Sequence, residues 1–140
     1  MRKSVFALVA LVASTFVVPA YAGVTAIVDI SSQSMTVKEN GRTKYTWAVS
    51  TARKGYRTPV GSYTAQRLER TWFSRTYDMA PMPHSIFFVG GYAIHGTTET
   101  GRLGHPASHG CVRLAPDNAA ALFSLARKHG RQNTRVIVQQ

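Results

Sequence analysis

Short apolar, β-branched runs separated by turn residues most constrain the fold of this chain. Asn40-Gly41 stands between the runs 35–39 and 42–49, and this dipeptide is a strong signal for a two-residue β-hairpin. Gly90-Gly91 divides the run 85–95 in the same way and predicts a second hairpin. The pattern indicates antiparallel strands with one buried face each.

One helix is predicted, over residues 116–129. Pro116 is favoured in the first turn of a helix. Asp117 would stabilise the positive N-terminal end of the helix dipole, and the basic residues 127–129 its negative C-terminal end. Gly130 suits a left-handed cap. Further strands are predicted at 24–30, from Ser62, and at 135–139, whereas residues 67–83 look like an irregular surface excursion that lines a groove. The predicted fold is mainly β, a β-sandwich with one helix in the C-terminal half packed against it.

The start of the chain has the features of an export signal. Arg2 and Lys3 precede an apolar run, and Ala20-Tyr21-Ala22 is a small-x-small cleavage site. The run is short for a membrane span, which needs about 20 apolar residues, although an uncleaved anchor is an alternative. We therefore expect a signal peptide at 1–22, one domain at 23–140, a location in the periplasm or cell wall, and no stable membrane insertion after cleavage.

The chain is strongly basic, with a formal charge of +11. Removal of Arg2 and Lys3 with the signal peptide lowers the charge from +11 to about +9. For an exported protein, this charge favours anionic envelope polymers, lipid headgroups or an acidic substrate over nucleic acid as the partner. A basic surface that serves only solubility is the alternative.

Candidate chemistry centres on Cys111, the only cysteine. A lone cysteine in an exported protein forms no intramolecular disulfide, so it is either a buried apolar residue or a reactive thiol. His95 and His109 lie close by in sequence, and an imidazole can take the thiol proton so that the thiolate attacks a carbonyl carbon. Backbone N–H groups around Gly110 and Cys111 are candidate oxyanion donors, and a carbonyl near Gly96 is expected to orient the imidazole.

The histidines and Cys111 could alternatively form a metal site. His95, His105, His109 and Cys111 offer mixed ligands for zinc. The spacing has neither a CxxC pair nor a helical HExxH, so no metal is predicted.

The segment Ser108-His109-Gly110-Cys111-Val112-Arg113, with His95-Gly96 upstream, resembles the catalytic motif of L,D-transpeptidases (the YkuD-type fold). Similar segments are Ser50-Thr51, Thr58-Pro59-Val60-Gly61, Met82-Pro83 and 91–96, so the resemblance covers nearly all of residues 24–139. It implies catalytic roles for Cys111, His95, Gly110 and Gly96. It implies substrate-binding or supporting roles for Ser108, His109, Arg113, Tyr92 and Met82.

The resemblance implies attack of Cys111 on a peptidoglycan tetrapeptide stem, between the L-centre of meso-diaminopimelate and the terminal D-alanine. His95 would act as base and then as acid, and a second stem amine would resolve the thioester into a 3→3 crosslink without a cofactor. Attack of water on the thioester, in place of the amine, would make the protein an L,D-carboxypeptidase. Attack by an amine of an envelope protein would anchor that protein to the wall, and the reverse reaction would release it. A non-catalytic wall- or zinc-binding module is the alternative from another class.

Four features depart from the family pattern. The His95-to-Ser108 interval is somewhat short, which implies a trimmed loop over the site. Arg113 stands where many members have Asn, Ala52-Arg53 replaces a Gly, and His84 replaces an aromatic residue. These departures bear on substrate preference, and the basic surface is expected to supply affinity for the wall.

Overall fold

The computed structural model describes residues 21–140, which form two main β-sheets, a separate two-stranded hairpin and one α-helix. Residues 1–20 of the predicted signal peptide lie outside the described residues. The elements, in chain order, are β1 (Val24–Asp29), β2 (Ser34–Glu39), β3 (Arg42–Ala48), β4 (Gly61–Thr64), β5 (Arg67–Glu69), β6 (Phe73–Ser74), β7 (Ala80–Pro81), β8 (Ser85–Val89), β9 (Tyr92–Gly96), β10 (Val112–Leu114), α1 (Pro116–His129) and β11 (Thr134–Gln139). In this part of the chain no helix has both the length and the apolar character needed to cross a bilayer.

The first sheet has five strands in the order β3-β2-β1-β11-β4. β1 pairs with β2 in an antiparallel ladder and with β11 in a parallel one, so the last strand lies beside the first. The hairpin predicted at Asn40-Gly41 joins β2 to β3. Asn40 and Gly41 both have positive φ, at 50° and 80°, as a tight hairpin turn requires.

The second sheet has four strands in the order β10-β9-β8-β5 and carries the candidate site. β8 and β9 form the predicted second hairpin, and β9 pairs in parallel with β10. Successive side chains of a strand point to opposite faces. Ile94, Val112 and Leu114 therefore enter the main core, which the two sheets and α1 share. Cys111 instead borders a second, smaller apolar cluster.

The helix is found where the sequence predicts it, from Pro116 to His129. It packs mainly against β9 and contributes Ala119, Leu122, Phe123, Leu125 and Ala126 to the main core. Its cap differs from the prediction, because Gly130 has φ 86° but ψ 151°, outside the left-handed helical region. The Gly130 N–H still donates to the Ala126 carbonyl at 2.9 Å, so the last turn is closed.

Residues 67–83 are more regular than the sequence predicts. β5 pairs with the edge of β8, and β6 pairs with β7 to form a small separate hairpin. The sequence gives little sign of these short strands, because pairing with a neighbour rather than a period-two apolar pattern specifies them. We call residues 73–81 the cleft hairpin. Its base is held by the Met82 N–H, which donates to the Trp72 carbonyl at 2.8 Å.

Candidate active site

The candidate residues surround one cleft of about 770 Å³. The cleft hairpin forms one wall, and β9 with the residues after it forms another. Residues 108–111, which we call the motif turn, close the third side with Arg113 and Pro116. All of the predicted site residues except Gly110 line this cleft, namely Met82, Tyr92, His95, Gly96, Ser108, His109, Cys111 and Arg113.

Strand register brings the candidate thiol and imidazole to the same face. β9 and β10 pair with Val112 opposite Ile94 and Arg113 opposite His95. Because residues two apart share a face, Cys111, Arg113 and His95 all project from the side of the sheet that faces away from the main core. The Ala93 N–H lies 3.4 Å from Cys111 Sγ and donates to it, which ties the thiol to β9.

The His95 ring is buried and held in one orientation. Its Nδ1 lies 2.7 Å from the Gly96 carbonyl oxygen. A carbonyl can only accept, so Nδ1 carries the proton and Nε2 is left as the basic nitrogen. The predicted orienting carbonyl at Gly96 is thereby confirmed. Gly96 is also packed closely, since an added Cβ would lie 3.2 Å from Pro83 Cγ and 3.3 Å from Ala119 Cβ.

Burial favours the neutral forms of both groups. The pKa of His95 is lowered to about 4, chiefly because burial disfavours the charged imidazolium. The hydrogen bond to the Gly96 carbonyl raises this pKa, and the nearby Arg113 cation lowers it. Burial raises the pKa of the Cys111 thiol, although the Ala93 N–H and Arg113 act in the opposite direction. At neutral pH the resting site therefore contains a thiol and a neutral imidazole rather than a thiolate–imidazolium pair.

This electrostatic state predicts slow alkylation of Cys111 in the folded protein. Because the thiolate is the reactive form, iodoacetamide at pH 7 is expected to label native Cys111 more slowly than the same cysteine in guanidinium-unfolded protein. The native rate should rise steeply as the pH increases above 8. Intact-mass measurement over time gives both rates. Rapid native labelling that stays constant down to pH 5 would instead indicate a preformed ion pair.

The motif turn is held by two hydroxyl groups. Ser108 Oγ donates to the Cys111 carbonyl at 2.6 Å and accepts the Gly110 N–H at 3.0 Å. Thr58 Oγ1 donates to the Gly110 carbonyl at 2.8 Å and accepts the Ala52 N–H at 3.0 Å. The Gly110 N–H is thus already engaged, which corrects its predicted role as an oxyanion donor. The Cys111 N–H is the other predicted donor.

Gly110 is required by the packing of this turn. Its φ is +136°, a value that side chains rarely adopt, and an added Cβ would lie 2.5 Å from Tyr92 Cε1 and 2.9 Å from the Arg57 carbonyl oxygen. Tyr92 therefore packs its ring directly onto the glycine that precedes Cys111. This contact gives Tyr92 and Gly110 supporting positions beside the thiol.

His109 connects the motif turn to the cleft hairpin. Its ring stacks on Tyr77 with centroids 4.1 Å apart and planes 8° apart, and meets the edge of Tyr56 at 4.7 Å. The Arg53 guanidinium lies 5.0 Å from the Tyr56 centroid. Partial burial lowers the pKa of His109, and the Arg53 and Arg113 cations lower it as well, so at neutral pH the stack contains an uncharged ring.

Arg113 is held beside the cleft by an acidic partner. Its Nη1 lies 3.4 Å from Glu99 Oε2, and its backbone exchanges two hydrogen bonds with Ser50 at 2.9 and 3.1 Å. Strand register places Arg113 on the same face as Cys111 and His95, and these contacts hold it there. In this position its guanidinium can bind a negatively charged group of a ligand.

Several supporting residues were missed by the sequence analysis as site residues. Thr58 buttresses Gly110, Tyr77 stacks on His109, and the Thr51 carbonyl accepts the N–H groups of Ala107 and Ser108. The segments Ser50-Thr51 and Thr58-Pro59-Val60-Gly61 carried a signal, since both resemble family segments. Tyr77 lies in no such segment, but it belongs to the stretch 67–83 that the sequence predicts to line a groove, and most of residues 74–83 do contribute to the cleft lining.

The competing metal site has no support in this geometry. Within residues 21–140 no group of three or more His, Cys, Asp or Glu side chains is close enough to hold a metal ion. The four zinc-ligand candidates, His95, His105, His109 and Cys111, are accordingly not assembled into one site.

The fold and cleft together define a protein of two main β-sheets, with a histidine on β9 and a cysteine directly before the neighbouring β10. Residues 23–138 match the model of the L,D-transpeptidase catalytic domain, and the chain belongs to this YkuD family. The family acts on the peptidoglycan of the cell wall. The resemblance drawn from the sequence and the predicted fold class are both confirmed.

Individual relatives agree with this assignment. The chain is 34% identical to L,D-transpeptidase 1 of Mycobacterium tuberculosis, over 69% of this chain and 44% of that protein. An L,D-transpeptidase structure from Mycobacterium smegmatis is 27% identical with a TM-score of 0.74, and covers 85% of this chain and 59% of that one. A structure from Stackebrandtia nassauensis is also 27% identical with a TM-score of 0.74, and covers 92% and 61%. The chain thus spans less than two thirds of each relative.

Proposed function

We propose that this protein is an L,D-transpeptidase that forms 3→3 crosslinks between peptidoglycan stem peptides through a thioester on Cys111. The observation that carries the proposal is that Cys111, directly before β10, and His95, on the neighbouring β9, lie on the same side of the second sheet and line one cleft. The Gly96 carbonyl supports it by directing the proton to His95 Nδ1 and leaving Nε2 as base.

In the first half-reaction, Cys111 Sγ attacks the carbonyl carbon between meso-diaminopimelate and D-alanine. The C–S bond forms while the thiol proton moves to His95 Nε2. Since burial disfavours both charged groups in the resting site, this transfer would accompany attack rather than precede it. The backbone N–H of Cys111 is the donor we assign to the developing oxyanion, an interaction that is worth about 10²–10³ in rate in other enzymes.

The second half of the reaction completes the proton cycle. The tetrahedral intermediate collapses by breaking the C–N bond, and the departing D-alanine amine takes the proton from His95 Nε2. An amine of a second stem then attacks the thioester and gives its proton to Nε2, and the thiol of Cys111 leaves with that proton. Each bond that breaks is thus matched by one that forms, and no cofactor is needed.

The remaining site residues would position the substrate. Arg113 would hold a stem carboxylate on the thiol-bearing face, while Met82 and Tyr92 form walls of the cleft. Ser108 would hold the motif turn, and His109 would hold the cleft hairpin over the substrate. The protein would act in the periplasm or cell wall, after removal of residues 1–22.

The test is mass spectrometry of products formed from purified disaccharide-tetrapeptide. A crosslinked dimer that has lost one D-alanine is the expected result. If disaccharide-tripeptide is the sole product, the protein is instead an L,D-carboxypeptidase, in which water rather than a second stem attacks the same thioester. Tetrapeptide that remains unchanged at stoichiometric enzyme would contradict both, and would favour release of wall-attached protein or binding without catalysis.

A further inference from the structure

A second depression, of about 540 Å³, lies outside the cleft. It is lined by Gln66, Arg67 and Leu68 on one side and by Arg127, Gly130 and Arg131 on the other. Three of these six residues are arginines, and none is acidic. The arginines come from β5, from the last turn of α1 and from the short 3-10 turn that follows it, so the tertiary fold brings them together.

Two of the three guanidinium groups are held in place by neighbours. The Arg67 guanidinium lies 4.3 Å from the Trp72 ring centroid and 4.2 Å from that of Phe87. Arg131 Nη1 donates to the Gln66 carbonyl at 3.3 Å. A guanidinium that is already ordered loses less entropy when it binds a ligand, which favours binding.

The positive charge of the depression is poorly neutralised. Arg67 forms one ion pair, with Glu69, whose Oε1 lies 3.7 Å from Arg67 Nε. Among the side chains of residues 21–140, no carboxylate lies within 4.0 Å of Arg127 or Arg131. Cations at a helix C-terminus complement its dipole, which explains Arg127 but does not explain Arg67, which comes from the neighbouring sheet.

The depression is separated from the thiol by the width of the second sheet. Arg67 is in β5 at one edge, whereas Cys111 precedes β10 at the other. Three strand spacings correspond to about 14 Å. A substrate confined to the cleft would not cover the depression, but a polymer with many acidic stem peptides could reach both places.

We infer that Arg67, Arg127 and Arg131 form a second, non-catalytic site that binds carboxylates of the peptidoglycan polymer while the cleft holds a stem peptide. This inference rests on the proposed function, which makes that polymer the substrate. The planar fork of arginine suits carboxylates. Binding one chain at two places raises the effective concentration of stems at the cleft.

Cosedimentation with isolated peptidoglycan sacculi tests the inference. Every protein would carry Cys111→Ala, so that binding is measured without turnover. The double variant Arg127→Gln/Arg131→Gln is expected to bind about tenfold more weakly, as two lost exposed charge contacts predict. The control is Lys38→Gln/Arg42→Gln, which removes the same charge from β2 and β3 at the far edge of the first sheet. It should change binding less than about twofold.

Two further arms identify the ligand. When the carboxylates of the sacculi are blocked as methylamides, the Arg127→Gln/Arg131→Gln variant and its parent should bind equally. The two proteins should also bind equally to vesicles of phosphatidylglycerol. The inference would be overturned if both double variants lost the same binding to sacculi. It would also be overturned if the arginine variant still bound blocked sacculi more weakly than its parent, or if its binding defect were larger on vesicles than on sacculi.

Turnover distinguishes this inference from the proposed function. With Cys111 intact, Arg127→Gln/Arg131→Gln should turn over soluble disaccharide-tetrapeptide at the parental rate, because that substrate cannot span both places. Arginine-dependent binding without any turnover would count against the proposed reaction alone. Normal turnover with binding that does not depend on Arg127 and Arg131 would overturn the second site alone.

Discussion

Replacing Cys111 by alanine is expected to reduce product formation from disaccharide-tetrapeptide by at least about 10³-fold while the fold is retained. The reason is that the proposed thioester cannot form without Sγ. Cys111 is only partly buried at the border of the smaller apolar cluster, so the lost packing should cost about 1 kcal/mol or less. Product mass spectrometry and thermal unfolding measure the two effects separately.

The partner histidine provides a matched comparison for the same assay. His95→Ala should cause a loss of similar order, because residues that act as a unit are not additive. His105→Ala is its control, since that exposed side chain does not line the cleft. Parental turnover by Cys111→Ala, or equal losses in the two histidine variants, would contradict the proposed mechanism.

Replacing Gly110 by alanine is expected to impair both folding and turnover. The new Cβ would lie 2.5 Å from Tyr92 Cε1 and 2.9 Å from the Arg57 carbonyl oxygen, at a φ of +136°. Backbone strain and overpacking of this kind cost about 2–4 kcal/mol together, which corresponds to a melting temperature lower by roughly 10 °C. A shift of about 1 Å in the thiol should reduce turnover by about 100-fold.

Gly101 offers the matched control for this substitution. It lies in an exposed 3-10 turn, and an added Cβ would have no atom within 4 Å. Gly101→Ala should therefore leave the melting temperature and the turnover of tetrapeptide close to the parental values. If Gly110→Ala behaves like Gly101→Ala, the packing of Tyr92 on the motif turn does not position the thiol.

Local sequence signals predicted most of the fold correctly. Asn40-Gly41 and Gly90-Gly91 located the two hairpins because each supplies the backbone freedom that a tight turn needs. Pro116 located the start of the helix, and the basic residues 127–129 located its end. Both signals are local, because each depends on only one turn of the helix. β5 and the cleft hairpin were not predicted, because pairing with distant strands rather than local sequence defines them.

The candidate site divides in the same way. The sequence alone determined the family and the candidate side chains for the proposed chemistry, because Cys111 is the only thiol and the segment 108–113 with His95-Gly96 resembles the family motif. Only the tertiary structure decided that the ladder between β9 and β10 puts Cys111 and His95 on one face, and that burial keeps both neutral. Strand register and local dielectric depend on residues far apart in the chain, so no local pattern contains them.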